Sequence, residues 1–284
     1  MAAQDWDDRI KRAGILAKQL DFAREPLSFY SKLAGFQKEL YTYVSRELGA
    51  IPTESHQDCP FHGGSLSAHL PVLIDIFPSF VTLTKEIGTE ALSFIADELS
   101  TVSSRSEWGA LLEAFWSRVL VNNLLDDNPA VVFFPKAFLQ PYAEFIADRH
   151  KAADSPPAWE LTEGNERLCP LCGSRPQLAV LKPEGEGSLR MLCCSMCMTE
   201  WRFRRVCCAA CGEESVFNLS YHKADEFPHV RIDVCENCHG YIKTIDLSVQ
   251  GHAVPVVDEI AAMPLDLWAS EKGYKKIELN LVGV

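Results

Sequence analysis

Ten of the chain's 11 cysteines lie between Cys169 and Cys238, and eight of those ten form four C-x-x-C pairs: Cys169/Cys172, Cys194/Cys197, Cys208/Cys211 and Cys235/Cys238. The gap is 21 residues within the first couple of pairs and 23 within the second, but only 10 between the couples. This is an internal repeat of about 40 residues, each unit carrying two thiol pairs. Two residues between cysteines let one tight turn aim both sulfurs at a point. Two such turns supply the four thiolates that a tetrahedral metal takes at about 2.3 Å. Gly173, Gly212 and, one place later, Gly240 follow the second cysteine of a pair and offer the positive φ such a turn requires. Each unit therefore reads as a zinc-ribbon or rubredoxin-like module whose ion is part of its folding energy. Two ions per chain are expected. An all-sulfur site suits zinc and iron alike, so spacing does not choose between them. Cys193 and Cys207 each directly precede a pair and read as small half-buried side chains.

The region before the cysteines has a different period. From Pro26, apolar residues recur at helical spacing through Tyr30, Leu33, Phe36, Leu40, Val44 and Leu48. Further helical runs cover Leu66–Ile87 with Gly88 as stop, Glu90–Leu99, Glu107–Leu125 with Ser106 as cap, and Pro129–Ile146. Pro135 and Pro141 are expected to kink or break the last of these. The expected architecture is an all-α domain over residues 1–153, metal modules over 165–205 and 206–250, and a tail over 251–284 that packs on them. Asp154-Ser155-Pro156-Pro157 marks the boundary. In the tail, Asp258–Met263 reads as a short helix and Ile277–Val284 as a strand.

Charge narrows the function. With 27 basic and 39 acidic residues the net charge is −12, which repels a phosphate backbone. A zinc-ribbon nucleic-acid-binding protein is thus a weak alternative. Apolar stretches such as Val131–Phe134 fall far short of a membrane span, and Met1–Arg12 has no apolar run like that of a secretory signal, so a cytoplasmic protein is expected. Trp201-Arg202-Phe203-Arg204-Arg205 joins the two units and is a candidate surface for an acidic partner through Trp201, Arg202, Arg204 and Arg205. The bland reading is a strand with its aromatics inward. His56, Cys59 and His62 share one loop that reads as solvated. His222, His229 and His239 read as bystanders to four sufficient cysteines. No Gly-rich nucleotide loop is present, which weakens a free-standing oxidoreductase.

Several segments resemble the formate dehydrogenase accessory protein family, FdhE. They are Leu168-Cys169-Pro170-Leu171-Cys172-Gly173-Ser174, Leu192-Cys193-Cys194-Ser195-Met196-Cys197 with Thr199-Glu200-Trp201, Cys235-Glu236-Asn237-Cys238 with Tyr241-Ile242-Lys243-Thr244, and Asp258–Ala269 with Gly273-Tyr274. The resemblance covers residues 160–275. It implies a cytoplasmic factor, not an enzyme, needed for active respiratory formate dehydrogenase and acting on the catalytic subunit before export. It also implies rubredoxin-like modules associated with iron. Carried over by position, Cys169, Cys172, Cys194 and Cys197 would hold one ion, and Cys208, Cys211, Cys235 and Cys238 the other. A free-standing rubredoxin-like electron carrier remains the alternative.

Overall fold

The computed structural model describes residues 2–49, 66–102, 104–121, 129–153 and 166–283. The loop holding His56, Cys59 and His62 and the break at Asp154–Pro157 lie outside them. Helix α1 (Ala2–Gln19) precedes the first helix expected from periodicity, and it buries Trp6, Ala13 and Leu16 against Leu27, Tyr30 and Ala34 of α2 (Arg24–Leu48). The expected run from Leu66 to Ile87 divides into a 3-10 turn, α3 (Leu70–Ile74) and α4 (Phe77–Ile87). Pro71 and Pro78 each lack an N–H and occupy the first turn of a new helix. Helix α4 ends at Gly88, whose N–H donates to Thr84 O at 2.9 Å. After α5 (Glu90–Val102), the cap of α6 (Arg105–Val121) is Ser104 rather than Ser106. Its N–H donates to Glu107 Oε2 at 2.6 Å while Glu107 N–H reaches Ser104 Oγ at 3.4 Å, a reciprocal capping box.

Helix α7 (Pro129–Ala153) runs on through Pro135 and Pro141 rather than breaking. Pro141 cannot donate to the carbonyl four residues back, that of Ala137. Gln37 Nε2 donates to it instead, at 2.7 Å. The carbonyl that Pro135 abandons belongs to Val131, a residue 40% exposed. The helix supplies Phe134, Phe138 and Tyr142 to the main core.

The cysteine-rich region forms one sheet. Strands β1 (Pro176–Glu184), β2 (Gly187–Cys194), β3 (Glu200–Arg202), β4 (Leu219–Lys223), β5 (Val230–Cys235), β6 (Gly240–Asp246) and β7 (Lys275–Lys276) are ordered β3-β2-β1-β6-β5-β4, with β7 on β6. Each unit contributes antiparallel pairs. A parallel seam, Ala179 opposite Thr244 to Leu181 opposite Asp246, joins the units. Helices α8 (Pro255–Ala261) and α9 (Met263–Glu271) follow. Under them Lys243 is fully buried, 2.9 Å from Glu259 Oε1 and bonded to Asp266, and Lys276 also meets Glu259. Burial would push the Glu259 carboxyl up, but the two ammonium groups beside it bring it down to about 2. The expected strand over Ile277–Val284 is not formed. Side chains hold this segment where a ladder was anticipated: Asn280 Nδ2 donates to Glu259 Oε2 at 2.7 Å, and Lys136 Nζ to Glu278 Oε1 at 2.6 Å and Leu279 O at 2.8 Å. The helical part and the sheet share one core, in which Cys169, Cys172, Cys194 and Cys197 sit with the α7 aromatics.

Candidate metal centres

The two couples of thiol pairs close into two groups. Within each, the four sulfurs lie within 4.8 Å of one another: Cys169, Cys172, Cys194 and Cys197 in the first, Cys208, Cys211, Cys235 and Cys238 in the second. In the first, Cys169 and Cys197 Sγ are 3.6 Å apart, and Cys172 and Cys194 Sγ 3.3 Å. In the second, Cys208 and Cys238 Sγ are 3.7 Å apart, and Cys211 and Cys235 Sγ 3.8 Å. Four thiolates bound tetrahedrally at about 2.3 Å stand about 3.8 Å apart, so both groups have the dimensions of such a site.

The local chain explains the geometry. In the first turn of each unit the backbone repeats itself. Gly173 N–H donates to Cys169 O at 2.8 Å and Cys169 N–H to Ser174 O at 2.8 Å, and the matching bonds of Gly212 and Cys208 are 2.9 and 2.8 Å. Gly173 and Gly212 have φ of 74° and 82°. In the second turn of each unit the positive φ falls on Met198 and His239, both at 53°, and not on Gly240. All four turns thus put a left-handed residue directly after the second cysteine. Gly240 serves a different need, since a Cβ there would stand 3.2 Å from both Ala210 Cβ and Cys238 Sγ.

Donors converge on the sulfurs. Met196 and Cys197 N–H point at Cys194 Sγ at 3.3 and 3.4 Å, Ala210 N–H at Cys208 Sγ at 3.3 Å, and Gly240 N–H at Cys238 Sγ at 3.4 Å. Thr199 Oγ1 lies 3.2 Å from Cys197 Sγ, and Asn237 Nδ2 reaches Cys211 Sγ at 3.7 Å. These donors favour the charged thiolate, the form that binds a metal. Sequence reasoning passed over Thr199 and Asn237. Their closeness to Cys197 and their place inside Cys235–Cys238 were the available signal.

Strand alternation sends Cys193 to the other face from Cys194, among Leu178, Val180 and Met191, where burial pushes its thiol up. Burial raises the Cys207 thiol as well. Neither belongs to a four-sulfur group. His229 bonds to Asp258 at 2.9 Å, and His222 and His239 pack at a tilt against Trp268 and Tyr274, respectively.

The two centres differ in surroundings. All four cysteines of the first are buried, and Gln140 Nε2 of α7 ties the adjacent turn down through Ser195 O at 2.9 Å. In the second, Cys238 is exposed and Cys211 half-buried.

Trp201 does not belong to a partner surface. It is fully buried in the main core, and its Nε1 donates to Glu166 O at 2.8 Å. Phe203 is buried beside it. Arg202, Arg204 and Arg205 are exposed, but Arg202 pairs with Glu184 at 3.4 Å and Arg204 with Glu214. The strand puts its aromatics inward because β3 lies over the core on that face.

Family models described as "FdhE, central domain" and "FdhE, C-terminal domain" match residues 168–205 and 206–282. A protein FdhE homolog of Aquifex aeolicus is 33% identical over 281 residues, covering 96% of this chain and 94% of its own length. One from Pseudomonas aeruginosa is 34% identical over 177 residues, covering 59% of this chain and 54% of its own length. The fold is that of the crystal structure of the FdhE protein from Pseudomonas aeruginosa, with a TM-score of 0.69 over 99% of this chain and 96% of that one, at 22% identity. Among the described residues, no helix is long and apolar enough to cross a membrane.

Proposed function

The chain belongs to the FdhE family of formate dehydrogenase accessory proteins, and from that premise we propose that it binds the immature catalytic subunit of formate dehydrogenase in the cytoplasm, before export, and is not itself an enzyme. The eight cysteines of the two groups hold two metal ions, and iron is favoured over zinc. Cys169, Cys172, Cys194 and Cys197 hold the ion that joins the helical domain to the sheet. Cys208, Cys211, Cys235 and Cys238 hold an ion within reach of a bound client. Iron would supply one-electron exchange there, whereas zinc would supply shape alone. The N–H groups of Ala210 and Gly240 stabilise the thiolates, and Cys238 opens one side of the group to solvent.

One observation carries this reading: two four-thiol groups are built into a single sheet continuous with the helical core, one sealed and one open. The sealed group fits a folding role and the open one a role toward a partner. The test is anaerobic purification of tagged protein together with the untranslocated catalytic subunit. Wild type should carry two ions per chain and co-purify with the subunit. Cys208→Ser should carry one and capture less. A wild type that holds two ions but never captures the subunit sinks the accessory reading and leaves the electron carrier.

A further inference from the structure

The sheet face beside the second centre holds a cavity of about 250 Å³, with Cys208 and Cys235 in its wall. Three guanidinium groups line it, those of Arg190, Arg205 and Arg231, with a single carboxylate, Asp233. Asp233 is already engaged. It lies 2.8 Å from Arg231 Nε and accepts from Thr244 Oγ1 at 2.8 Å and Arg190 Nη2 at 3.2 Å. Arg190 is 2% exposed. Its Nη1 donates to the carbonyls of Arg204 and Cys207, but its buried Nε finds no hydrogen-bond acceptor among the described residues. That N–H is sealed from solvent, so Arg190 shapes the wall of the cavity, and the cation open to an incoming anion is Arg205. Arg205 is exposed, and among the described residues it meets the Ser188 carbonyl at 3.4 Å and no carboxylate.

Apolar surface flanks this charge. Val206, Val216 and Tyr221 line the same cavity and are 49%, 64% and 58% exposed, and Phe217, next to Val216, is 92% exposed. Exposed apolar side chains gathered at one cavity mark a docking surface in a way that scattered ones do not. Strand β4, which carries Tyr221, is one of the two edge strands of the sheet and has no partner on its outer side among the described residues.

We propose that this face, which takes Arg205 but not Trp201, Arg202 or Arg204 from the arginine stretch, is where the client docks, and that it receives a client segment in which an acidic side chain is flanked by apolar ones. The carboxylate meets Arg205, the exposed guanidinium with no carboxylate partner among the described residues, and the apolar neighbours cover Val216, Phe217 and Tyr221. Charge complementarity selects this occupant over a second copy of the chain, whose net charge is −12 but whose matching face would present the same arginines. The inference rests on the client reading above and names the surface it uses.

The test measures binding of purified catalytic subunit to metal-loaded wild type, Arg205→Glu, Phe217→Asp and, as control on α1, Lys11→Glu. All three altered side chains are exposed, so folding is expected to be retained, and metal content is read for each. Arg205→Glu and Phe217→Asp should each weaken binding at least about tenfold with two ions still bound, and Lys11→Glu should leave it unchanged. Equal affinity across all four proteins overturns this surface while leaving the client reading intact. Loss of an ion in Arg205→Glu also overturns it, because Arg205 then serves the centre and not a partner. A wild type that does not bind the subunit overturns the client reading and this inference together.

Discussion

The two thiol centres share a C-x-x-C spacing and a turn geometry, and backbone N–H groups meet sulfur in both, yet the chain treats them differently. The first is walled in by α7 and the main core, and its cysteines are as inaccessible as the phenylalanines beside them. The second lies toward the outer strands, with Cys238 in solvent. A repeated motif therefore fixes what a site can hold, while the packing around it fixes what the site can be used for. A sealed centre stabilises the fold and exchanges little with solvent. An open one can meet a partner or give up its ion.

The sharpest way to break this comparison is to remove one thiol from each centre. Cys172→Ser should cost the first ion and, because the helical core packs on that centre, on the order of 5–10 kcal/mol of stability. Cys238→Ser should cost about 2 kcal/mol or less, since water can take the fourth position at an exposed centre. Thermal unfolding with metal analysis reads both, and equal losses would erase the distinction. A smaller effect is kinetic. A chelator should extract the ion of the second centre at least about tenfold faster than that of the first, and Cys238→Ser should speed this fast phase further while Cys172→Ser spares it. A single phase in wild type would mean that burial does not protect the first centre. The smallest expected effect is none at all: Cys193→Ser and Cys207→Ser should keep two ions, because neither sulfur belongs to a group of four. Loss of an ion in either would shift the register of a pair by one residue.

Much of this was legible in the sequence because it is local. The C-x-x-C spacing, the glycines at 173 and 212, the apolar stripe of α2 and the stop at Gly88 each depend on residues within a turn or two. What escaped depends on distant partners. Pro141 reads as a helix breaker until Gln37, over a hundred residues earlier, is found donating to the abandoned carbonyl. Trp201 among three arginines reads as a surface until β3 is placed over the core. The last residues alternate like a strand, but Glu259 and Lys136 hold them by side chains. Met198 and His239 show that a left-handed turn residue need not be glycine when the thiol geometry around it is fixed. The union of two modules into one sheet has no local signature, because the seam pairs Ala179 with Thr244.

That seam also sets a timetable. Strand β1 leaves the ribosome some 65 residues ahead of the strand that will cover its second side. At about 5–20 residues per second, its edge stands open for about 3–13 s in every newly made molecule. The strand exposed in that interval is apolar over Leu178–Leu181, the kind of edge that recruits other chains. Growth conditions that slow translation would lengthen the exposure. The nascent protein is then most prone to aggregate after the first four thiols are already in hand and before β6 arrives.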